Sequence, residues 1–230
     1  MTTLTEPCQL TLVRKKLEQP LSLLALWASS THHQKAYWAV PDAGFEFVAL
    51  GKARHFRTDE RASRFETVRA DLGTLNIDVI GEAGPDFTAG VLVGGFAFSD
   101  REIERHPDWA AFGGGELVLP EVFVTRSNDQ TWITHVEGAE IPVLSPSLDL
   151  DLGWVKEVDY KNDDDYLALV SNALKEIESG NMTKVVTARS LSLPANLNCA
   201  ALLERLKERH PSCATFAIGH GSQVFLGASP

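Results

Sequence analysis

The chain has 230 residues, of which 44% are hydrophobic and 23% are charged, and its formal net charge at pH 7 is −10. This size and composition are typical of a globular protein with one large or two small domains. The acidic balance argues against non-specific binding to nucleic acid or to an anionic membrane, because both need a basic protein surface.

The first predicted elements are a buried apolar segment, a β-hairpin and a helix. Residues 21–27 form an apolar run that is too short to span a bilayer and lacks the flanks of a signal peptide, so we expect it in the core. Residues 37–41 and 45–51 alternate aromatic and β-branched side chains around a Pro-Asp-Ala-Gly turn, which predicts two antiparallel strands. Residues 52–72 have helical apolar spacing and are followed by Gly73, which predicts a surface helix.

The next stretch is dominated by strand patterns. Residues 90–98 form a glycine-rich strand in which missing side chains permit close backbone approach. Residues 117–125 and 131–136 are further predicted strands, joined by a polar turn. Residues 142–151, rich in Pro, Ser and Asp, are the best linker candidate. We therefore expect a mostly-β region over 1–150 and a second domain over 151–230.

The second region predicts an alternation of helices and strands. Aspartates 163–165 cap a helix that continues to Gly180, and a strand follows over 183–193. Asn198 opens another helix, and residues 214–226 form a hairpin around a Gly-His-Gly-Ser turn. The predicted fold class is α+β, with antiparallel sheets and outer helices.

Most residues with chemical potential fit structural roles. The three cysteines, Cys8, Cys199 and Cys213, form no CxxC pair, which suits a reducing cytoplasm. The seven histidines show no zinc-binding spacing and are interpreted as ordinary surface or turn residues. The run 113–115 of three glycines is not followed by Lys and Ser, so it predicts a loop and not a phosphate cradle. No residues of this chain are predicted to bind a metal.

Lys184 stands out because it occupies a predicted β-branched strand, Lys-Val-Val-Thr-Ala-Arg. Removing an ammonium from water is costly, so a lysine in a strand interior is either solvated or chemically employed. Judged by its position alone, a solvated lysine that protects a sheet edge is the favoured interpretation.

Two motifs change that interpretation. Residues 180–189, Gly-Asn-Met-Thr-Lys-Val-Val-Thr-Ala-Arg, and residues 225–230, Phe-Leu-Gly-Ala-Ser-Pro, resemble the chorismate-utilising enzymes. The strand at Tyr37-Trp38 and the segment Gly-Gly-Phe-Ala-Phe at 94–98 support the resemblance, which covers the whole chain but only the first half of the family's length. It implies an α+β fold of antiparallel sheets packed face to face.

Within this family the residues are most similar to isochorismate synthases. The resemblance implies that water adds to one ring carbon of chorismate while the allylic hydroxyl leaves, with Mg²⁺ holding the carboxylate in the complete enzyme. It makes Lys184 the general base that activates water, and Gly227, Ala228 and Ser229 substrate-binding residues. A lysine can serve as this base only if its surroundings lower its pKa well below the usual value.

Related activities remain open. Anthranilate synthase component I-like enzymes resemble the sequence too, but commonly have glutamine where this chain has Lys184, so the lysine favours water over ammonia. A salicylate synthase, which also eliminates pyruvate, is the runner-up. The length of the region before Lys184 favours the menaquinone pathway over a siderophore pathway.

The end of the sequence carries its own expectation. In the family, the motif at 227–230 is followed by a glutamate that acts as general acid, and the Mg²⁺ ligands lie further on. We therefore expect a truncated N-terminal portion that is inactive alone. The alternative is a non-catalytic interaction module, and exposed sheet edges allow self-association in either case.

Overall fold

The computed structural model describes residues 8–58, 63–98, 107–112, 114–142, 148–156 and 164–230. They belong to two compact units, each described by itself. The sheet unit comprises residues 1–150 and 199–230, and the small unit comprises residues 151–198. The predicted division into 1–150 and 151–230 stays a prediction.

The described residues form the following strands and helices. The strands are β1 (Cys8–Leu17), β2 (Gln34–Val40), β3 (Phe45–Leu50), β4 (Arg54–Thr58), β5 (Leu75–Gly81), β6 (Val93–Phe96), β7 (Gly115–Leu119), β8 (Val122–Ser127), β9 (Gln130–Val136), β10 (Gly153–Val155), β11 (Ala195–Leu197), β12 (Ala214–His220) and β13 (Gln223–Ser229). The α-helices are α1 (Leu23–Ser29), α2 (Arg64–Leu72), α3 (Asp164–Glu178) and α4 (Cys199–Arg209).

An eight-stranded main sheet organises the sheet unit, in the order β13-β12-β2-β3-β8-β9-β1-β5. Its neighbouring strands pair antiparallel, except β1 and β5, which pair parallel. A second sheet has the order β4-β7-β6 and is antiparallel throughout. The α+β class with antiparallel sheets and helices is therefore confirmed.

Helices α1 and α4 cover one face of the main sheet. The Ser22 hydroxyl caps α1 by accepting a hydrogen bond from the Ala25 amide at 3.2 Å. Leu23, Leu26 and Leu203 are fully buried against strand residues such as Tyr37 and Val48 in the largest core cluster. The expectation that residues 21–27 lie in the core is confirmed, because this apolar run becomes α1.

Several predicted elements have the expected positions, and others differ. The hairpin is β2 and β3, joined by a short 3-10 turn that ends at Gly44 in the left-handed conformation. The predicted helix over 52–72 is wrong in its first part, because residues 54–58 form β4 by pairing with β7. Only the second part is helical, as α2, and Gly73 follows its last residue.

The other strand predictions were close in position but incomplete. Residues 117–125 contribute to two strands, β7 and β8, with Pro120 and Glu121 between them. The polar turn before β9 is confirmed, with Asn128 and Asp129 at positive φ. Strands β1 and β5 were not predicted, and residues 143–147 of the proposed linker lie outside the described residues.

The small unit contains α3 and a two-stranded ribbon of β10 and β11. Gly180, at φ +77°, ends the helical turn as predicted. The predicted strand over 183–193 is wrong, because these residues adopt neither strand nor helix. Residues with a high strand propensity form a strand only where a neighbouring strand accepts and donates their backbone hydrogen bonds.

Across the described part of the chain, no helix has both the length and the apolarity needed to cross a membrane.

Candidate functional site

Lys184 lies on an irregular segment that contacts α3. The Tyr166 hydroxyl of α3 is 3.3 Å from the Thr187 hydroxyl, and the Arg189 guanidinium lies 5.4 Å from the centre of the Tyr166 ring. Tyr166 therefore holds the middle of the segment against the helix.

The side chain of Lys184 is exposed. Thr187 and Arg189 are two residues apart and both contact Tyr166, whereas Lys184 is exposed and Val186 is 87% exposed. A lysine acts as a general base only if burial or a nearby cation lowers its pKa. In the described part of the small unit, Lys184 lies on neither a helix nor a strand. The catalytic role of Lys184 therefore stays a prediction.

The predicted substrate-binding residues lie on β13. Gly227, Ala228 and Ser229 pair with Phe216, Thr215 and Ala214 of β12. A Cβ atom on Gly227 would meet the Phe216 ring at 3.2 Å, so glycine here allows that ring to lie across the strand. β13 is the first strand in the order of the main sheet, so its outer edge has no strand partner among the described residues. Substrate binding by these three residues stays a prediction.

A buried carboxylate that the sequence did not single out lies between the two sheets. Glu116 of β7 is 5% exposed, and its Oε1 and Oε2 atoms lie 2.6 Å from His220 Nε2 and 2.8 Å from His55 Nε2. His55 belongs to β4 and His220 to β12. One side chain thus ties two strands of the second sheet to the main sheet.

Two histidines contact the Glu116 carboxylate, and one of them also contacts Gln34. The Gln34 side-chain nitrogen lies 3.4 Å from His220 Nδ1. Burial acts to raise the pKa of Glu116, but hydrogen bonds from His220 and His55 outweigh it and hold that pKa below its usual value. Glu116 is therefore an ionised acceptor at neutral pH.

A small cleft beside the cluster has mostly apolar walls. Its lining includes Ala36 and Ala49 of the main sheet, Val93 and Val118 of the second sheet, and Glu116. Both carboxylate oxygens of Glu116 already accept hydrogen bonds from histidines. This arrangement stabilises the packing of the sheets and offers no free base for chemistry.

The sequence contained one signal for this contact. A Cβ atom on Gly94 would overlap the carbonyl oxygen of Glu116, so the glycine-rich strand does permit the close backbone approach that was predicted for it. Its partner strand could not be read from the sequence, because β6 and β7 are separated by about twenty residues of chain. The histidines were missed for the same reason.

Lys35 on β2 is a partly buried lysine of the sheet unit. Its ammonium donates to the backbone carbonyls of Trp27 and Ser30, each at 2.9 Å, at the end of α1. Burial lowers the pKa of Lys35, and the charge of Cys199 acts in the opposite direction. A pKa lowered in this way is the condition that the general-base role places on Lys184.

No metal site is formed by the described residues, which bring together no group of three or more His, Cys, Asp or Glu side chains able to hold an ion. The residues present do not fit the Mg²⁺ that the resemblance implies.

The comparisons with known proteins agree on one family. The model of the chorismate binding enzyme family matches residues 33–230. The isochorismate synthase MenF of Bacillus subtilis is 25% identical over 92% of this chain and 50% of its own length. The salicylate biosynthesis isochorismate synthase of Pseudomonas aeruginosa is 26% identical over 92% of this chain and 47% of its own length.

A solved structure shares the fold. The structure of MenF, the menaquinone-specific isochorismate synthase from Escherichia coli, matches with a TM-score of 0.59 at 15% identity and covers 95% of this chain. That match covers 50% of the solved chain. The chain thus spans about half the length of the relatives it matches.

Proposed function

Because the chain belongs to the family of chorismate-binding enzymes, we propose that it supplies the N-terminal half of an isochorismate synthase. The comparisons carry this proposal. The family model matches residues 33–230, and the relatives that the chain matches over about half of their length are isochorismate synthases. The substrate is chorismate, the product is isochorismate, and the place of the reaction is the cytoplasm.

Lys184 is the general base of the proposed reaction. Its free amine removes a proton from water, and the water oxygen forms a bond to a ring carbon of chorismate. The ring double bonds shift, and the allylic hydroxyl leaves as water with a proton from the general acid that the C-terminal half would supply. The lysine supports water as the nucleophile, since the ammonia-using members of the family that it resembles commonly have glutamine there. Because Lys184 is exposed on its unpaired segment, the role requires that another part of the complete enzyme cover it.

The C-terminal half of the relatives supplies the remaining catalytic groups in this proposal. Its absence from the 230 residues leaves the chain inactive alone, because removing a general acid costs about two to four orders of magnitude in rate. A menaquinone role is supported by relatives named MenF, whereas the Pseudomonas aeruginosa relative is named for salicylate biosynthesis.

The test is an assay of chorismate conversion. The purified chain is incubated with chorismate and Mg²⁺, alone and after co-expression with the C-terminal half of the Bacillus subtilis relative, and products are separated by chromatography. We expect isochorismate only from the co-expressed pair, and no release of pyruvate. Pyruvate and salicylate would indicate the runner-up activity.

Two substitutions test the base. Lys184→Met in the co-expressed pair should lower kcat at least about 100-fold. Lys175→Met, which replaces an exposed lysine at the end of α3, is the matched control and should leave kcat unchanged. Full activity of Lys184→Met, or isochorismate formation by the chain alone, would contradict the proposal.

A further inference from the structure

The segment that carries Lys184 is attached to α3 at two places, one on each side of that lysine. The first attachment is at the C-terminal end of the helix. The backbone N–H of Asn181 donates to the Glu176 carbonyl at 3.0 Å, and the Asn181 side-chain amide donates to the Glu176 carboxylate at 2.8 Å. Gly180, at positive φ, turns the chain at this point.

The second attachment is Tyr166, in the first turn of α3. Its hydroxyl lies 3.3 Å from Thr187 Oγ1, and its ring centre lies 5.4 Å from the Arg189 guanidinium. Tyr166 and Thr187 are half-buried, whereas the residues next to each of them in the sequence are exposed. The pairing of these two side chains fixes the far end of the segment against the helix.

The distance between the two attachments leaves the chain little slack. Tyr166 and Glu176 are ten residues apart on α3, which corresponds to about 15 Å along a helix axis. Asn181 and Thr187 are six residues apart, and six residues of fully extended chain reach at most about 20–22 Å. Residues 182–186, the Lys184 bridge, therefore run back along α3 in a mostly extended form, with Lys184 as the middle residue.

A bridge that is held at both ends limits where the backbone of Lys184 can move. A general base works only within hydrogen-bond reach of the proton that it removes, and a displacement of about 1 Å costs about 100-fold in rate. The lysine side chain is itself a flexible four-carbon stem. The backbone that carries it therefore has to be the fixed part.

We propose that Tyr166 is a positioning residue for Lys184. Its hydroxyl holds Thr187 and its ring holds Arg189, so Tyr166 acts on the lysine through the backbone of the Lys184 bridge, together with the attachment at Asn181. Tyr166 does not touch the reacting atoms in this role. The inference rests on the proposed function, because positioning affects the rate only if Lys184 is the base that activates water.

The kinetic test uses the chain co-expressed with the C-terminal half of the Bacillus subtilis relative. Tyr166→Phe keeps the ring that contacts Arg189 and removes the hydroxyl, and it should lower kcat at least about tenfold while KM changes less than about twofold. Ser171→Ala is the matched control, because it removes an exposed hydroxyl of α3 that bonds within the helix, and it should leave kcat unchanged. An active pair in which Tyr166→Phe has the parent kcat overturns the inference.

Variants of Thr187 separate positioning from a merely structural role. Thr187→Val removes the partner hydroxyl and should lower kcat by the same factor as Tyr166→Phe, and the two substitutions together should cost no more than either one alone. Thr187→Ser keeps the hydroxyl and should retain at least about half of the parent kcat. Additive losses, or an equal loss in Thr187→Ser and Thr187→Val, contradict the inference.

A second readout does not depend on catalysis. Trypsin cleaves after lysine and arginine, so cleavage between Lys184 and Val185 in the isolated chain reports how freely the Lys184 bridge leaves α3. Tyr166→Phe should speed this cleavage at least about fivefold relative to cleavage after Lys207 of α4, and Ser171→Ala should not change it. An unchanged rate overturns the inference whether or not the co-expressed pair is active.

The two readouts also separate this inference from the proposed function. A parent pair that makes no isochorismate contradicts the proposed function, and faster cleavage in Tyr166→Phe would still show that Tyr166 holds the Lys184 bridge. An active parent pair with unchanged cleavage and unchanged kcat in Tyr166→Phe would instead leave the proposed function standing and refute the positioning role.

Discussion

Strand β2 and the segment 183–193 each contain one lysine near hydrophobic residues and have opposite structures. β2 pairs with β12 on one side and β3 on the other, whereas residues 183–193 form no strand. Hydrogen-bonding partners, and not intrinsic propensity, decide which sequence becomes a strand.

The two lysines differ for the same reason. Lys35 of β2 lies beside the end of α1, where two backbone carbonyls accept its protons and Trp27 lies 4.8 Å away. Lys184 lies on the unpaired segment and is exposed. A lysine side chain is removed from solvent only where the tertiary structure packs other residues around it.

Proline substitutions should give the largest difference in the free energy of unfolding between β2 and the segment 183–193. Ala36→Pro removes a backbone donor from a strand paired on both sides and should cost about 3 kcal/mol or more, enough to unfold the sheet unit. Val186→Pro in the unpaired segment should change the free energy of unfolding by less than about 0.5 kcal/mol. Urea unfolding followed by circular dichroism measures both. A large effect of Val186→Pro would show that residues 183–193 are paired in the isolated chain.

The Glu116 cluster should give the next largest effect. Glu116→Gln replaces one of two acceptor oxygens by an amide group that cannot accept from a histidine N–H, and should cost about 2–4 kcal/mol at pH 7. Because the folded-state pKa of Glu116 lies below the unfolded value, its stabilisation is present above the unfolded value and is lost as pH falls through the folded one.

The deficit of Glu116→Gln should therefore shrink as the pH is lowered below about 4.3, the usual pKa of a glutamate. Denaturant unfolding across pH 3–7 tests this, with Glu121→Gln as the control at a partly exposed glutamate that lies 3.8 Å from a single histidine, His32. A deficit that stays constant over that pH range contradicts the ionised cluster.

Two adjacent glycines test how closely the second sheet is assembled. In Gly94→Ala the new methyl group overlaps the carbonyl oxygen of Glu116, and strain should cost about 1–3 kcal/mol. In Gly95→Ala the methyl group meets nothing within 4 Å and should be nearly neutral. Thermal unfolding of both variants measures the difference. Equal melting temperatures would mean that β6 and β7 are not in close contact.

Substitutions of the two lysines should give the smallest difference in the free energy of unfolding. Lys35→Met leaves the carbonyls of Trp27 and Ser30 without their donor and should cost about 1–2 kcal/mol. Lys184→Met in the isolated chain should stay within about 0.5 kcal/mol of the parent. Parallel urea titrations give both values, and a loss at Lys184 as large as that at Lys35 would show an unseen contact.

Local patterns in the sequence predicted the elements that depend on nearby residues. The hairpin of β2 and β3, helices α3 and α4, and the β12-β13 hairpin all follow from periodicity and turn residues. The helix wrongly predicted from Lys52 shows the limit, since Arg54–Thr58 becomes a strand only by pairing with β7, more than fifty residues later.

The candidate site was predicted unevenly. The motifs around Lys184 and Ser229 led to the family that the comparisons confirm, because they are short and contiguous in the sequence. The Glu116 cluster was not predicted, because its three members lie on strands that meet only in the folded sheet unit.

The sequence by itself determined the fold class, the family and the identity of the candidate base, since each depends on patterns within a few consecutive residues. Only the tertiary structure decided which strands pair, that Lys35 is partly buried, and that Glu116 lies buried between two histidines. The physical reason is that burial and strand pairing are properties of two surfaces in contact, and one segment of sequence specifies only one of them.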